Sequence, residues 1–375
     1  MFHKNYFVLI LLLLVAAETS AQLSFVKGKE VYEMGFNFTS FYNQRFYQSG
    51  ETNFDKNRFR VRDAQMDIKM RSGNKCEASL QFDLADIASG STADEDNGLM
   101  EANVVFKPIY RGPEFKLGFD KVAFSRSSST SLYASPFFNR AEIVSGDFFA
   151  RRDVGLELKQ GFLNDRIIAY GGIYTGLGEA SLAGDNDASG KPEYIGRVEF
   201  SYPSKFRYVD YDRKNSAKPM ISLGLNGRYA EKKTDSGIDY IKTVDGKKSV
   251  YGFDVALMWK GFNFQYELLQ AHIIPNDSFK VVGSGDNYIN AGGYLMQLTY
   301  NNRKLNSGLA VRYDEINPND LVLDNTFRSV NIAYNYFISN SEAIIKIQYM
   351  HRLPLAVSNT QWKEDDLRVG LQYNF

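Results

Sequence analysis

The strongest constraint on this chain is a period of two that recurs from near its start to its last residue. Met34, Phe36 and Phe38 alternate with Gly35, Asn37 and Thr39, and Ala78, Leu80, Phe82 and Leu84 alternate with Glu77, Ser79, Gln81 and Asp83. The pattern returns in Phe253, Val255, Leu257 and Trp259, in Phe262, Phe264, Tyr266 and Leu268, and in Leu309, Val311 and Tyr313. Val330 to Tyr336 and Ile345 to Tyr349 repeat it, and Leu367, Val369, Leu371, Tyr373 and Phe375 end the chain on it. Successive side chains of a strand point to opposite faces, so every such segment has one apolar and one polar face. The segment from Arg58 to Met70 switches phase near Asp63, which a β-bulge would explain, and Ile167 to Tyr174 picks no phase.

The links between segments alternate in length. Short links fall at Ser72 to Lys75, Tyr110 to Glu114, Phe162 to Asp165, Tyr202 to Pro219, Lys260 to Gly261, Asn301 to Lys304 and Ser339 to Glu342; all but the fourth read as tight turns. Longer polar links fall near Tyr47 to Lys56, Ser89 to Asn97, Ser125 to Arg151, Leu177 to Lys191, Glu231 to Ser249, Ile274 to Ala291, Asn317 to Asn325 and Pro354 to Glu364. Short turns on one rim and long loops on the other describe an outer-membrane barrel with periplasmic turns and extracellular loops. A β-sandwich has no reason to sort its links this way. The segments number about sixteen, in the range of barrels that enclose an aqueous lumen. Only Gln22 to Glu30 precede the first strand, too little for a plug domain. The expected fold is therefore an all-β transmembrane antiparallel barrel over 22–375. Hydrocarbon leaves no water to satisfy backbone N–H and C=O groups, and closing the sheet pairs them all.

The first residues belong to export. Lys4 gives a short basic start, Phe7 to Ala17 is an unbroken apolar run, and Thr19-Ser20-Ala21 offers a small-residue cleavage site before Gln22. The run is too short to span a bilayer as a helix, and an uncleaved anchor is the alternative to a signal peptide at 1–21. No later stretch reaches helix-spanning length. The single Cys76 excludes a disulfide scaffold, and 44 basic against 44 acidic residues exclude nucleic acid as a partner by charge. Aromatic residues are abundant, 28 Phe and 24 Tyr, and those at strand ends such as Trp259, Tyr300 and Tyr373 suit the interfacial girdles of a barrel.

If the apolar phase faces lipid, the polar phase lines the lumen. It contains Arg58, Arg60, Arg62, Lys116, Arg197, Arg228, Arg312, Lys346 and Arg368, together with Glu77, Asp83, Glu101, Asp120, Glu157, Glu199, Asp254 and Glu267. Rings of one sign select ions of the other, so a mixed wall implies weak selectivity or facing patches of opposite charge. Catalysis in a barrel would need a histidine beside a nucleophile or carboxylate. His3 lies in the leader, and His272 and His351 fall on the apolar phase near the outer ends of their strands, as interfacial residues do. Asp185, Asp187 and Ser189 imitate the start of a calcium loop, yet the twelfth position is Gly196 and a barrel offers no preceding helix, so a solvated loop is the simpler reading. No cofactor is called for.

Three blocks carry a family resemblance. Arg58-Phe59-Arg60-Val61-Arg62-Asp63-Ala64 resembles the arginine-rich second-strand block of the phosphate-selective porin O and P family. Lys116 to Ser125 resembles that family's segment in which a Gly is followed by Lys-Val-Pro-Phe-Ser, and Arg152-Asp153-Val154-Gly155 is similar to its Arg-Asp-Ile-Gly. The blocks occur in the family's order and cover the first half of the mature chain. The resemblance implies a homotrimeric outer-membrane porin of Gram-negative type, with basic side chains guiding anions and a long third loop folded inward as a constriction. That loop is 125–151 here, with Arg126, Arg140, Glu142, Asp147 and Arg151 as its charged members and Arg152 at its exit. The residues expected along the pore and constriction are thus Arg58, Arg60, Arg62, Lys116, Lys121, Arg126, Arg140, Arg151 and Arg152. Outer-membrane lipid and lipopolysaccharide, and small hydrophilic solutes or anions, are the expected partners. Ala123 stands where the family commonly has Pro, Asp120 adds an acid beside Lys121, and the chain is neutral overall, so phosphate selectivity does not follow from the resemblance. A non-conducting barrel that serves as adhesin or scaffold is the competing function.

Overall fold

The computed structural model describes residues 23–47, 56–89, 98–144, 150–178, 182, 187–233, 245–276, 288–322, 326–338, 343–353 and 364–374. The leader, most of the long loops, Asp147, Asp185 and Phe375 lie outside the described residues. The first strands are β1 (Leu23–Lys27), β2 (Glu30–Tyr47), β3 (Lys56–Ser72), β4 (Cys76–Asp83), β5 (Leu99–Phe106) and β6 (Glu114–Lys121). They are followed by β7 (Arg152–Phe162), β8 (Ile167–Tyr174), β9 (Glu193–Tyr202), β10 (Met220–Lys232), β11 (Gly246–Trp259) and β12 (Phe262–Pro275). The last are β13 (Ile289–Asn302), β14 (Ser307–Asn317), β15 (Phe327–Ile338), β16 (Ala343–Arg352) and β17 (Glu364–Asn374).

From β2 onward every strand pairs antiparallel with its neighbours in the chain, and β17 pairs back onto β2 with Val369 opposite Tyr42, which closes a barrel of 16 strands. The short β1 stands outside the closure. It pairs with Glu30 to Met34 of β2, just below Asn37, where β17 stops. The phase switch in β3 is a shift of register opposite Thr39 and Ser40: Asp63 faces Thr39, Val61 faces Ser40, and Arg62 is the extra residue. Arg58, Arg60 and Asp63 thereby share the inner face while Phe59 and Val61 face outward. The alternation read through Leu84 ends one residue earlier, because Asp83 accepts from Ala85 N at 3.0 Å and starts a short helix, Leu84–Ser89.

The outer face is the apolar one, with Leu225, Leu257, Leu298, Ile332 and Val369 exposed at its middle. Trp259, Tyr300 and Tyr336 are exposed near the short-turn rim, where amphipathic rings bridge lipid and water. The inner face does not follow the simple rule that polar means lumen. Ile195, Val250, Leu269, Ala271, Ile273, Ile289, Leu295 and Ile316 point inward and are buried, because Val122, Phe124, Ala141, Ile143 and Val144 fold into the lumen and pack on them. A hydrophobic core thus forms inside the barrel. Tyr174 of β8 joins this core, and Ile168 is inward and buried as well, so β8 carries apolar residues on both faces and picks no phase. Each fully buried aliphatic side chain contributes about 1.5–3 kcal/mol.

A second segment enters from the opposite rim. The link from 203 to 219 is on the side of the tight turns, but it folds upward along β11 to β16. Phe206 packs on Ala256 and Met258, Asn263 Nδ2 donates to Val209 O at 2.9 Å, and Tyr211 packs against Phe337 and Ile344. Together the two segments pack on the inward faces of β9 to β17 and reach Phe41 of β2.

Candidate functional site

The third loop enters the barrel through a capped turn. Ser125 accepts from Ser128 N and opens a single helical turn, Arg126–Ser129, which carries Arg126 against the far wall. There Arg126 Nε donates to Asp254 Oδ1 at 2.8 Å and Arg197 Nη1 to Asp254 Oδ2 at 2.5 Å, with Glu199 and Ser222 completing the cluster. Glu267 takes Ser127 N at 3.0 Å. Buried charges are tolerable only when paired and hydrogen-bonded, and Asp254 does both for Arg126 and Arg197.

Beyond that anchor the loop is held by its backbone. Gln372 Nε2 donates to Tyr133 O at 2.8 Å, Lys346 Nζ to Ser135 O at 2.7 Å, and Arg312 to Asn139 O at 3.0 Å and Arg140 O at 3.2 Å. Gln348 accepts from Phe138 N at 2.7 Å. A loop away from water must pair its backbone groups: inward Arg312 of β14, Lys346 of β16 and Gln372 of β17 supply donors to its carbonyls, and Gln348 of β16 supplies an acceptor. Phe137 seats on Ala310 and Ala333, and Phe138 meets Phe41 at 5.0 Å. Where the loop rejoins β7, Arg228 pairs with Glu193 and donates to Ala150 O at 2.9 Å.

The wall of β17 and β2 to β7 carries most of the other expected residues. On the long-loop side Arg45, Arg58, Arg60 and Arg368 stand together, with Asp366 the acid in reach. Arg368 is matched by Asp366 at 2.7 Å, whereas Arg58 and Arg60 are exposed and pair with no carboxylate among the described residues. Deeper in, Arg140 on the loop is surrounded by Arg152, Arg62, Asp210 and Asp63. Burial, then the guanidiniums of Arg152 and Arg62, lower the hold of Arg140 on its proton to about 9, so it still carries its charge at neutral pH. Its Nη1 donates to Thr130 O at 2.7 Å and Ser127 O at 3.1 Å. Lys116 and Lys121 are matched locally, Lys116 by Asp120 at 3.0 Å and Glu157 at 3.2 Å, Lys121 by Glu101 at 2.9 Å.

The expected residues therefore separate. Arg58, Arg60, Arg62, Arg140 and Arg152 are brought toward one side of the lumen, Lys116 and Lys121 are neutralised on the neighbouring wall, and Arg151 sits at the junction with β7. Arg126 is placed elsewhere than expected: it is 1% exposed and anchors the loop from behind. Asp187 is occupied by Ser189 Oγ at 2.8 Å and Lys232 Nζ at 3.5 Å. His272 and His351 face outward, against Asn290 at 3.0 Å and Asp365 at 2.8 Å. Sequence reasoning missed Tyr208, Asp210 and Tyr211, and missed the inward apolar residues. The second group did leave a trace. Leu268-Leu269 and Ala271-His272-Ile273-Ile274 are apolar on both phases at the outer end of β12, which only a filled lumen tolerates.

The profile of the family described as phosphate-selective porin O and P matches residues 32–375. The chain belongs to this family. Among solved structures the porin is similar to an anion-selective porin from Comamonas acidovorans, at 10% identity over 92% of this chain and 100% of that one, with a TM-score of 0.58. It is also similar to OmpT of Vibrio cholerae, at 10% identity over 94% and 100%, TM-score 0.59. The outer membrane channel DcaP of Acinetobacter baumannii aligns at 11% identity over 93% and 99%, TM-score 0.57. At such identities these likenesses speak for the fold. No curated protein matches by sequence. The porin is thus an outer-membrane channel protein, with the apolar outer face of its barrel in lipid.

Proposed function

We propose that this porin is a weakly anion-preferring diffusion channel for small hydrophilic solutes, and that its path follows β17 and β2 to β6. The observation that carries this reading is the outer cluster of Arg45, Arg58, Arg60 and Arg368, in which Arg58 and Arg60 have no acidic partner among the described residues. Clustered guanidiniums at a low-dielectric mouth raise the local anion concentration. The preference is weak because Lys116, Lys121 and Arg368 are each matched by a carboxylate and the chain carries 44 charges of each sign. Arg62, Arg140 and Arg152 form the narrow belt beneath. We read the chain as a channel rather than an enzyme, exported by a cleaved leader at 1–21, assembled as a homotrimer, and bounded by outer-membrane lipid and lipopolysaccharide.

Single-channel recording of the folded protein in a planar bilayer tests this. Discrete conductance steps and a reversal potential of anionic sign in a salt gradient are expected. The segments packed inside the lumen favour the alternative of a non-conducting adhesin or scaffold, and a folded barrel that gives no steps ends the channel reading. Cross-linking in detergent reports the trimer.

A further inference from the structure

The link from 203 to 219 is far longer than the Lys260–Gly261 turn on the same rim, and its interior contacts point two ways. Toward the wall, Thr299 Oγ1 donates to Asp210 O at 2.7 Å, Gln265 Nε2 to Asp210 Oδ1 at 2.9 Å, and Arg213 lies over Phe337 at 4.2 Å. Toward the third loop, Asp210 N donates to Ala134 O at 3.1 Å and Tyr211 Oη to Ser135 O at 3.1 Å. The Arg126 guanidinium lies 5.0 Å from the ring of Phe206 and 5.1 Å from that of Tyr208. Tyr208 also donates to Glu199, which pairs with Arg126 at 3.7 Å.

We propose that this periplasmic segment is the seat of the constriction loop: a positioning element that fixes where the loop crosses the lumen and so sets the width of the path. Without it the carbonyls of Ala134 and Ser135 would each lose a donor, and Arg126 would lose the rings that shield its ion pairs from water. The loop would then be held from the wall side alone. Segments with fewer enclosing contacts open at lower cost, and an open loop changes both the bore and the charges along it. The proposal rests on the channel reading for its consequence but not for its geometry.

The test uses the full-length protein in a Cys76→Ser background with Ile143→Cys as reporter, a position that is 0% exposed and packs away from the segment in the lumen core. One variant replaces 203–219 by a two-residue turn; a second carries Phe206→Ala and Tyr208→Ala. In folded barrels, labelling of the reporter by a membrane-impermeant maleimide should rise about tenfold in both variants. Conductance of the same variants with Ile143 intact should rise roughly twofold with added noise. Tyr208→Phe alone keeps the ring and should restore slow labelling. Unchanged labelling and conductance in a folded variant overturn the proposal. If the shortened variant does not fold, the double substitution decides. If the parent gives no conductance steps, the channel reading fails, while the labelling rates still decide whether the segment seats the loop.

Discussion

Asp254 and Arg60 illustrate how the same phase of the same sheet assigns opposite roles to charged residues. Asp254 is 1% exposed and holds both Arg126 and Arg197, so its negative charge is what makes two buried guanidiniums tolerable. Asp254→Ala should lower unfolding stability by about 3–5 kcal/mol, read from urea unfolding of the folded barrel in detergent, because it leaves two buried cations undercompensated. Arg60 is exposed and unmatched, so its replacement should leave stability within about 0.5 kcal/mol. Arg58→Gln with Arg60→Gln should instead move the reversal potential toward cations; a potential that stays put would show that solutes do not pass these side chains. Both roles were equally available to Asp254 and Arg60 as inward polar residues in the sequence. What separates them is whether another segment lies over them.

Among the elements, the third loop and the strands it covers form one packing unit. Gly293 is inward on β13, and a Cβ there would lie 2.6 Å from Ile143 Cγ2 and 2.6 Å from Glu315 O, so the absence of a side chain is what lets Ile143 approach. Gly293→Val should displace the loop, cost about 1–3 kcal/mol by overpacking, and raise conductance noise. Leu269, fully buried in the same core, is the opposite case. Leu269→Ala should cost about 2–5 kcal/mol through lost burial and the cavity left behind, measured by the same unfolding assay. Strand β3 shows a local device that was legible in advance: the phase change near Asp63 is the register shift opposite Thr39 and Ser40. The 203–219 segment was legible only as a link too long for its rim. Its apolar residues, Phe206, Val209 and Tyr211, carry no signal of their own until the strands that bury them are known.

At the scale of the molecule, lipid and water impose two solvents on one sheet. Leu225 sits mid-strand on the lipid side of β10, and Leu225→Arg should destabilise the folded barrel in a bilayer by about 2–4 kcal/mol, with a much smaller loss if the position faced water. The period of two, the sorted link lengths and the three family blocks were enough to determine from sequence a closed outer-membrane barrel of about sixteen strands, with its inner and outer faces and the location of its arginine-rich strand. These properties are local: alternation depends on adjacent residues, and closure follows from the need to pair every backbone group in hydrocarbon. What packs inside the lumen, which inward arginines stay exposed and which are spent on holding a loop were decided only by tertiary structure. They depend on contacts between residues far apart in the chain, such as Arg126 with Asp254 and Asp210 with Ala134, and the alternation of a strand has no term for what crosses the space it encloses.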